Sequence, residues 1–319
     1  GCPCPAIRGS AMAQPTARDV FDCSGVAVIT GAASGFGLEA ARRCAAAGMR
    51  LALLDVDEAG LARAKRQLEG SGGSASQCLA FRCDVGKYGD CAAAATAVSE
   101  AFPGVRIALL FNNAGIAGPS EYEYQGHVLD GTPSDSGWRA VFHVNVFGAV
   151  NVLKTFVPGM VAAGPFPSGI KSQIVTTSSV MGLYDGGFGL SPYNASKMAC
   201  TAICEQMHFE LKAAGQKAAH VASHSLHPSM AGTNIFRDPE VTEAITSGRG
   251  GLSGGLSAGD VMDATLSGIA KRTFYIVVDD PKDVPAREQV RQRMESQMAG
   301  TEPCPHRPMA GLAVYMQVQ

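Results

Sequence analysis

Val26-Ala27-Val28-Ile29-Thr30-Gly31-Ala32-Ala33-Ser34-Gly35-Phe36-Gly37 is the stretch whose reading decides the fold. A short apolar run reaching a glycine is the pattern of a strand buried on both faces. The turn is rich in glycine, and from Leu38 to Ala47 the spacing is helical until Gly48 stops it. Strand, glycine-rich turn and helix in succession let backbone approach a pyrophosphate, which then rests at the helix N-terminus. Such a turn alone signals little, since it can simply close a loop. Here the next strand, Arg50 to Leu54, ends in Asp55, 18 residues after Gly37. A carboxylate there can accept from both ribose hydroxyls of a dinucleotide and repels a 2′-phosphate. No Arg or Lys lies within the loop to favour that phosphate. NAD is the expected cofactor, with NADP the alternative.

Outward from this unit, short apolar runs alternate with longer amphipathic ones. Further strands are expected at Cys78 to Cys83, Ile107 to Phe111, Ile174 to Thr177, His220 to Leu226 and Phe274 to Val278. Further helices are expected at Glu58 to Leu68, Cys91 to Phe102, Ser136 to Val161, Pro192 to Ala214, Val261 to Lys271 and Val284 to Met298. Strands that are apolar on both faces demand a parallel sheet with helices on both sides, and right-handed crossovers make it doubly wound. The fold class is therefore α/β, with a doubly wound parallel seven-stranded sheet. Polar and glycine residues gather just past the strands, at Gly31, Asp55, Asp84, Asn112 and Ser178. Ligands of such sheets bind at those carboxyl ends.

No repeat or linker interrupts the pattern, so residues 19–299 read as one domain. Residues 1–18 read as a flexible N-terminal extension and 300–319 as a C-terminal tail. Met12 could be a start, and a targeting peptide is another reading of residues 1–11. Hydrophobic residues make up 46% of the 319, enough for a sizeable core. A formal net charge of -2 gives no electrostatic case for nucleic acid or an anionic membrane. No apolar run reaches about 18 residues, so no membrane span is proposed. Ten scattered Cys read as reduced thiols of a reducing compartment, with the cytoplasm expected and organellar targeting left open. No metal is expected. Cys2-x-Cys4 lacks partner ligands, and His220 and His224 are about 13 Å apart along a strand with His227 on its other face.

Tyr193 and Lys197, four apart, share one face of the expected helix. A phenol beside a fixed ammonium suits proton exchange near neutral pH. By itself the spacing is common on solvated helix faces. The ordered set around it gives it weight. Gly31, Gly35 and Gly37 in Gly-x-x-x-Gly-x-Gly spacing, Asp84-Val85, Asn112-Asn113-Ala114-Gly115, Asn145, Ser178-Ser179, Tyr193-x-x-x-Lys197 and Pro228 to Thr233 follow in sequence. In this set the chain resembles the short-chain dehydrogenase/reductases of the shorter, non-extended type, over about Val20 to Met298.

The resemblance implies a Rossmann fold and an enzyme that interconverts a secondary alcohol and a ketone by hydride transfer. It implies that Tyr193 is the general acid/base, that Ser179 orients the reacting oxygen, and that Lys197 supports Tyr193 and binds the ribose. Ser179 rather than Ser178 is chosen because it stands three residues before Gly182. The 14 residues from Ser179 to Tyr193 exceed the usual gap, which points to an insertion at Asp185 to Gly189. Asn145 would bend the long helix and hold a water. Gly31, Ser34, Gly35, Phe36 and Gly37 would cradle the pyrophosphate and Asp55 the ribose. Asp84 and Val85 would meet the adenine, with Asn113, Ala114 and Gly115 passing close to the cofactor. Tyr193, Lys197, Pro228 and Thr233 would complete its site, although Ser229 stands where the family commonly has glycine. Residues of about 229–260, rich in Gly and Ser past Thr246, would form a substrate lid. Gly118 to Gly137 would wall the pocket. A homodimer or homotetramer through the two long helices is expected, with Val150, Leu153 and Phe209 as candidate contacts. The partner is a small alcohol or ketone. A non-enzymatic NAD-binding sensor is the competing reading.

Overall fold

The computed structural model describes residues 13–69, 77–118, 136–184, 191–231, 235, 255–281 and 284–300. Its strands are β1 (Val26–Thr30), β2 (Arg50–Asp55), β3 (Cys78–Arg82), β4 (Ile107–Asn112), β5 (Ser172–Thr177), β6 (Val221–Pro228) and β7 (Tyr275–Val278). All pair in parallel, in the order β3-β2-β1-β4-β5-β6-β7. The order reverses between β1 and β4, which opens a crevice at their carboxyl ends.

The covering helices are α1 (Ala17–Val20), α2 (Gly35–Ala46), α3 (Glu58–Glu69), α4 (Tyr88–Ala101), α5 (Ser136–Phe142), α6 (Ala149–Ala162), α7 (Ser191–Ala213), α8 (Ala258–Ala270) and α9 (Ala286–Ala299). On one face Ile29, Leu53 and Leu226 pack with Ala40 and Ala41 of α2 and Leu266 of α8. On the other, Val28, Leu110 and Ile174 pack with Val152, Phe156 and Met160 of α6 and Val98 of α4. Each large apolar side chain so buried stabilises the fold by about 1.5–3 kcal/mol.

Three features depart from the expectations. Ala17 is buried in the core, and the Asp19 carboxylate caps α1 by accepting from the Thr16 N–H at 2.7 Å. Residues 16–18, read as extension, thus belong to the packed fold. The long helix expected from Ser136 to Val161 is not uniformly α-helical, because a π-helical segment, His143–Gly148, joins α5 to α6. That run, Gly137–Ala162, also contains an 18-residue window of mean hydropathy 1.4, although no span of that apolarity was expected. It is long and apolar enough to cross a membrane by composition, and 44% of that window is buried within the protein.

Candidate active site

The chain leaves β1 at Gly31 with φ +65, and Gly35, which opens α2, has φ +51. Both lie in the left-handed region that glycine tolerates. Gly37 is required for a different reason: a Cβ there would stand 2.1 Å from the Gly31 carbonyl oxygen. Ser34 is extended and its side chain does not cap α2. Phe36 packs against the core. Asp55, at the end of β2, accepts from Ala33 N–H and Asp57 N–H, each at 3.0 Å. It ties the glycine-rich turn to the neighbouring strand and retains acceptor capacity.

Past β3, the Asp84 carboxylate accepts from Gly86 N–H at 3.1 Å and faces Lys87 at 3.5 Å and His143 at 3.8 Å. Val85 is buried against Gly148, where a Cβ would come within 2.6 Å of the Val85 side chain. Across the crevice the Thr30 hydroxyl oxygen accepts from Asn113 N–H at 2.9 Å and Ala114 N–H at 3.0 Å. The Asn113 amide donates to Thr30 O, and its oxygen accepts from Thr177 Oγ1 at 3.1 Å. Three strand ends are thereby fixed to one another.

Lys197 is 2% exposed, and its Nζ lies 5.6 Å from the Tyr193 ring centroid and donates to Thr177 O at 3.0 Å. Gly115 lies beside it: a Cβ there would stand 3.4 Å from Nζ and 3.3 Å from Asn145 Oδ1. Asn145 sits in the π-helical segment. Its Oδ1 accepts from Ile116 N–H at 2.8 Å, and its Nδ2 donates to Ile116 O at 2.9 Å and Ser196 Oγ at 3.0 Å. The two serines part company here. Ser178 Oγ donates to Lys197 O at 2.8 Å and lies 2.9 Å from Thr201 Oγ1, so it is used in joining β5 to α7. Ser179 Oγ accepts from Met181 N–H at 3.2 Å and reaches Pro228 O only at 3.4 Å. Thr233, the Asp185–Gly189 insertion, the pocket wall at 119–135, most of the lid and Cys2-x-Cys4 lie outside the described residues.

The histidines of β6 do not converge. His224 bonds Thr273 O and Gln173 Oε1, and His227 bonds Ser179 O and Ser225 Oγ. Burial pushes the pKa of both down, that of His227 to about 4. No group of three or more metal-ligating side chains forms among the described residues.

Lys197 is also the test of fit for a nicotinamide dinucleotide. Its ammonium has three donors and, among the described residues, one protein acceptor, an arrangement that a ribose diol would complete. The turn from Gly31 to Gly37, glycine at 31, 35 and 37, fits a pyrophosphate in the same crevice.

The family model described as short chain dehydrogenase matches residues 25–243. This chain belongs to the short-chain dehydrogenase family. Among its relatives is dehydrogenase/reductase SDR family member 7B of Mus musculus, 32% identical over 80% of this chain and 73% of the relative. Another is 1-deoxy-11-beta-hydroxypentalenate dehydrogenase of Streptomyces avermitilis, 31% identical over 78% of this chain and 83% of that protein. A short-chain dehydrogenase/reductase from Burkholderia phymatum, solved in complex with NAD, superposes with a TM-score of 0.72 at 33% identity. That alignment covers 89% of this chain and 98% of the other. The chain is thus an NAD(P)-dependent oxidoreductase of the short-chain dehydrogenase family.

Sequence reading missed four members of this network: Thr30, Thr177, Ser196 and His227. Thr30 and Thr177 looked like ordinary last residues of strands. Their position beside Gly31 and Ser178, at the carboxyl edge, was the one available signal.

Proposed function

We propose that the enzyme interconverts a secondary alcohol and a ketone, with NAD as its cofactor and Tyr193 as the general acid/base. The observation that carries the reading is the buried Lys197 ammonium held 5.6 Å from the Tyr193 ring. When bound, the nicotinamide supplies acceptance or donation of hydride. In oxidation, Tyr193 takes the alcohol proton; in reduction, it returns a proton to the carbonyl oxygen. Ser179 orients that oxygen; its hydroxyl accepts from Met181 N–H at 3.2 Å and donates only weakly, to Pro228 O at 3.4 Å. Asn145 stiffens the floor by bridging Ile116 and Ser196.

Gly31, Ser34, Gly35, Phe36 and Gly37 hold the pyrophosphate in this reading. Asp55 holds the adenosine ribose, Asp84 and Val85 the adenine, and Asn113, Ala114, Gly115, Pro228 and Thr233 the remainder. The carboxylate of Asp55 beside Ala33 N–H supports NAD over NADP, as does the NAD held by the Burkholderia phymatum relative. Residues of about 229–260 act as the lid. Association through the long helices is supported by the exposure of Phe147 and Phe209, at 59% and 61%.

The test is turnover of 1-phenylethanol, cyclohexanol, a 3-hydroxysteroid and a 3-hydroxyacyl thioester with NAD and with NADP. Saturable reduction of NAD by at least one alcohol is expected, with weaker binding of NADP. Tyr193→Phe is expected to abolish turnover while keeping NAD affinity. Turnover retained in that variant would reject the proton-transfer role.

A further inference from the structure

His227 is 0% exposed and immediately precedes Pro228. Its Nδ1 lies 2.8 Å from the Ser179 carbonyl oxygen, and its Nε2 lies 2.8 Å from Ser225 Oγ. A carbonyl only accepts, so Nδ1 carries the proton and Nε2 accepts from the Ser225 hydroxyl. Both ring nitrogens are committed and one tautomer is selected. Burial brings the pKa down to about 4; the bond to Ser179 opposes that shift and the Lys197 charge adds to it. The ring is therefore neutral at ordinary working pH.

The residues on either side act on the same segment. Ser178 N–H donates to Leu226 O at 2.8 Å, and Ser179 Oγ reaches Pro228 O at 3.4 Å. Leu226, His227 and Pro228 thus grip the Ser178–Ser179 backbone and side chain at three consecutive points.

We propose that His227 is a positioning residue: its Nδ1–H holds the Ser179 carbonyl, and through it the backbone that aims the Ser179 hydroxyl at the substrate oxygen. The proposal rests on the reading of Ser179 as the group that orients that oxygen. A histidine that merely filled the core would be replaceable by a side chain of equal bulk. A donor to Ser179 would be replaceable by a smaller group that keeps the donor.

The experiment compares His227→Phe, His227→Asn, Ser225→Ala and Ser179→Ala with the parent chain. The probe is NAD with whichever of the four alcohols above the parent turns over fastest. Phenylalanine fills the space but strands a buried carbonyl, whereas asparagine can offer an amide N–H near the Nδ1 position. His227→Phe is expected to lower kcat by about tenfold to a hundredfold, as misplacement of a reacting group does. NAD affinity and KM should stay within about twofold, and His227→Asn should recover kcat to within about threefold of the parent. Parent-like kcat in His227→Phe, or an Asn variant no better than the Phe variant, overturns the proposal.

If His227→Phe does not fold, Ser225→Ala decides, because it leaves the ring in place. It is expected to lower kcat by about threefold at unchanged KM, and parent-like kcat overturns the proposal. Full turnover in Ser179→Ala instead removes the reading of Ser179 itself. A parent chain inert toward all four alcohols removes the proposed function and this inference with it.

Discussion

At the scale of single residues, the crevice is defined as much by missing side chains as by present ones. Gly37 cannot carry a Cβ without meeting the Gly31 carbonyl at 2.1 Å. Gly37→Ala is therefore expected to lower NAD affinity by at least about tenfold and stability by about 1–3 kcal/mol, read by calorimetric titration and urea unfolding. Burial of His227 has a separate consequence. Its pKa falls from the ordinary 6.5 to about 4, so the unfolded chain takes up a proton that the folded chain refuses. Stability is full above pH 6.5 and declines as pH falls toward 4, by on the order of 3 kcal/mol in all. Lowering of the His224 pKa acts in the same direction. Urea midpoints measured from pH 7 to pH 4.5 should show the decline, and His227→Asn should flatten it. The identities of Tyr193, Lys197 and Asp55 as site candidates were legible because each sits at a fixed offset in a local pattern. The task of His227 was not, because its partner Ser179 is 48 residues away and strand periodicity says only which face a side chain takes.

Among the elements, the strands were the most legible, since apolar runs bounded by glycine and polar residues leave little choice. All seven expected strands are present, with ends displaced by a residue or two. The π-helical segment contains Asn145, where a bend in the long helix was expected, but its change of helix type was not legible because the apolar pattern from Ser136 onward continues through it. The short helix α1 spans four residues, too few to show a period. The element least expected to bear on chemistry is α9. Its Val290 and Ala286 pack with Val180, Leu183 and Tyr184, the segment directly after Ser179. Arg293 donates to Leu183 O at 3.2 Å and lies 3.8 Å from Met198 Sδ. Helix α9 thus braces the turn that follows Ser179. Arg293→Ala is expected to raise the KM for alcohol about threefold to tenfold while leaving NAD affinity unchanged, because the cofactor cradle lies on other elements. A parent-like KM in steady-state assays would show that the packing alone suffices.

At the scale of the whole molecule, the proposed association through the long helices can be tested on exposed apolar residues. Of the expected contact residues, Leu153 is core, whereas Phe209 projects outward, as does Phe147 within the π-helical segment. Two exposed aromatic rings on the long helical runs are candidates for burial between copies. Phe147→Glu combined with Phe209→Glu is expected to shift sedimentation to the monomer, with the far-ultraviolet circular dichroism unchanged. Unaltered sedimentation of an oligomeric parent would place the interface elsewhere.

The grip of Leu226, His227 and Pro228 on Ser178 and Ser179 also sets an order in time. Synthesis runs from the N-terminus, so the turn before β2 and the Tyr193–Lys197 helix emerge before β6 does. Until β6 slots in beside β5, the Ser178 amide and the Ser179 carbonyl lack their partners on Leu226 and His227. A ribosome-bound chain ending short of residue 221 would carry the chemical groups without the frame that aims them. The backbone frame around Ser179 is therefore completed only once β6 has been made, as a property of topology.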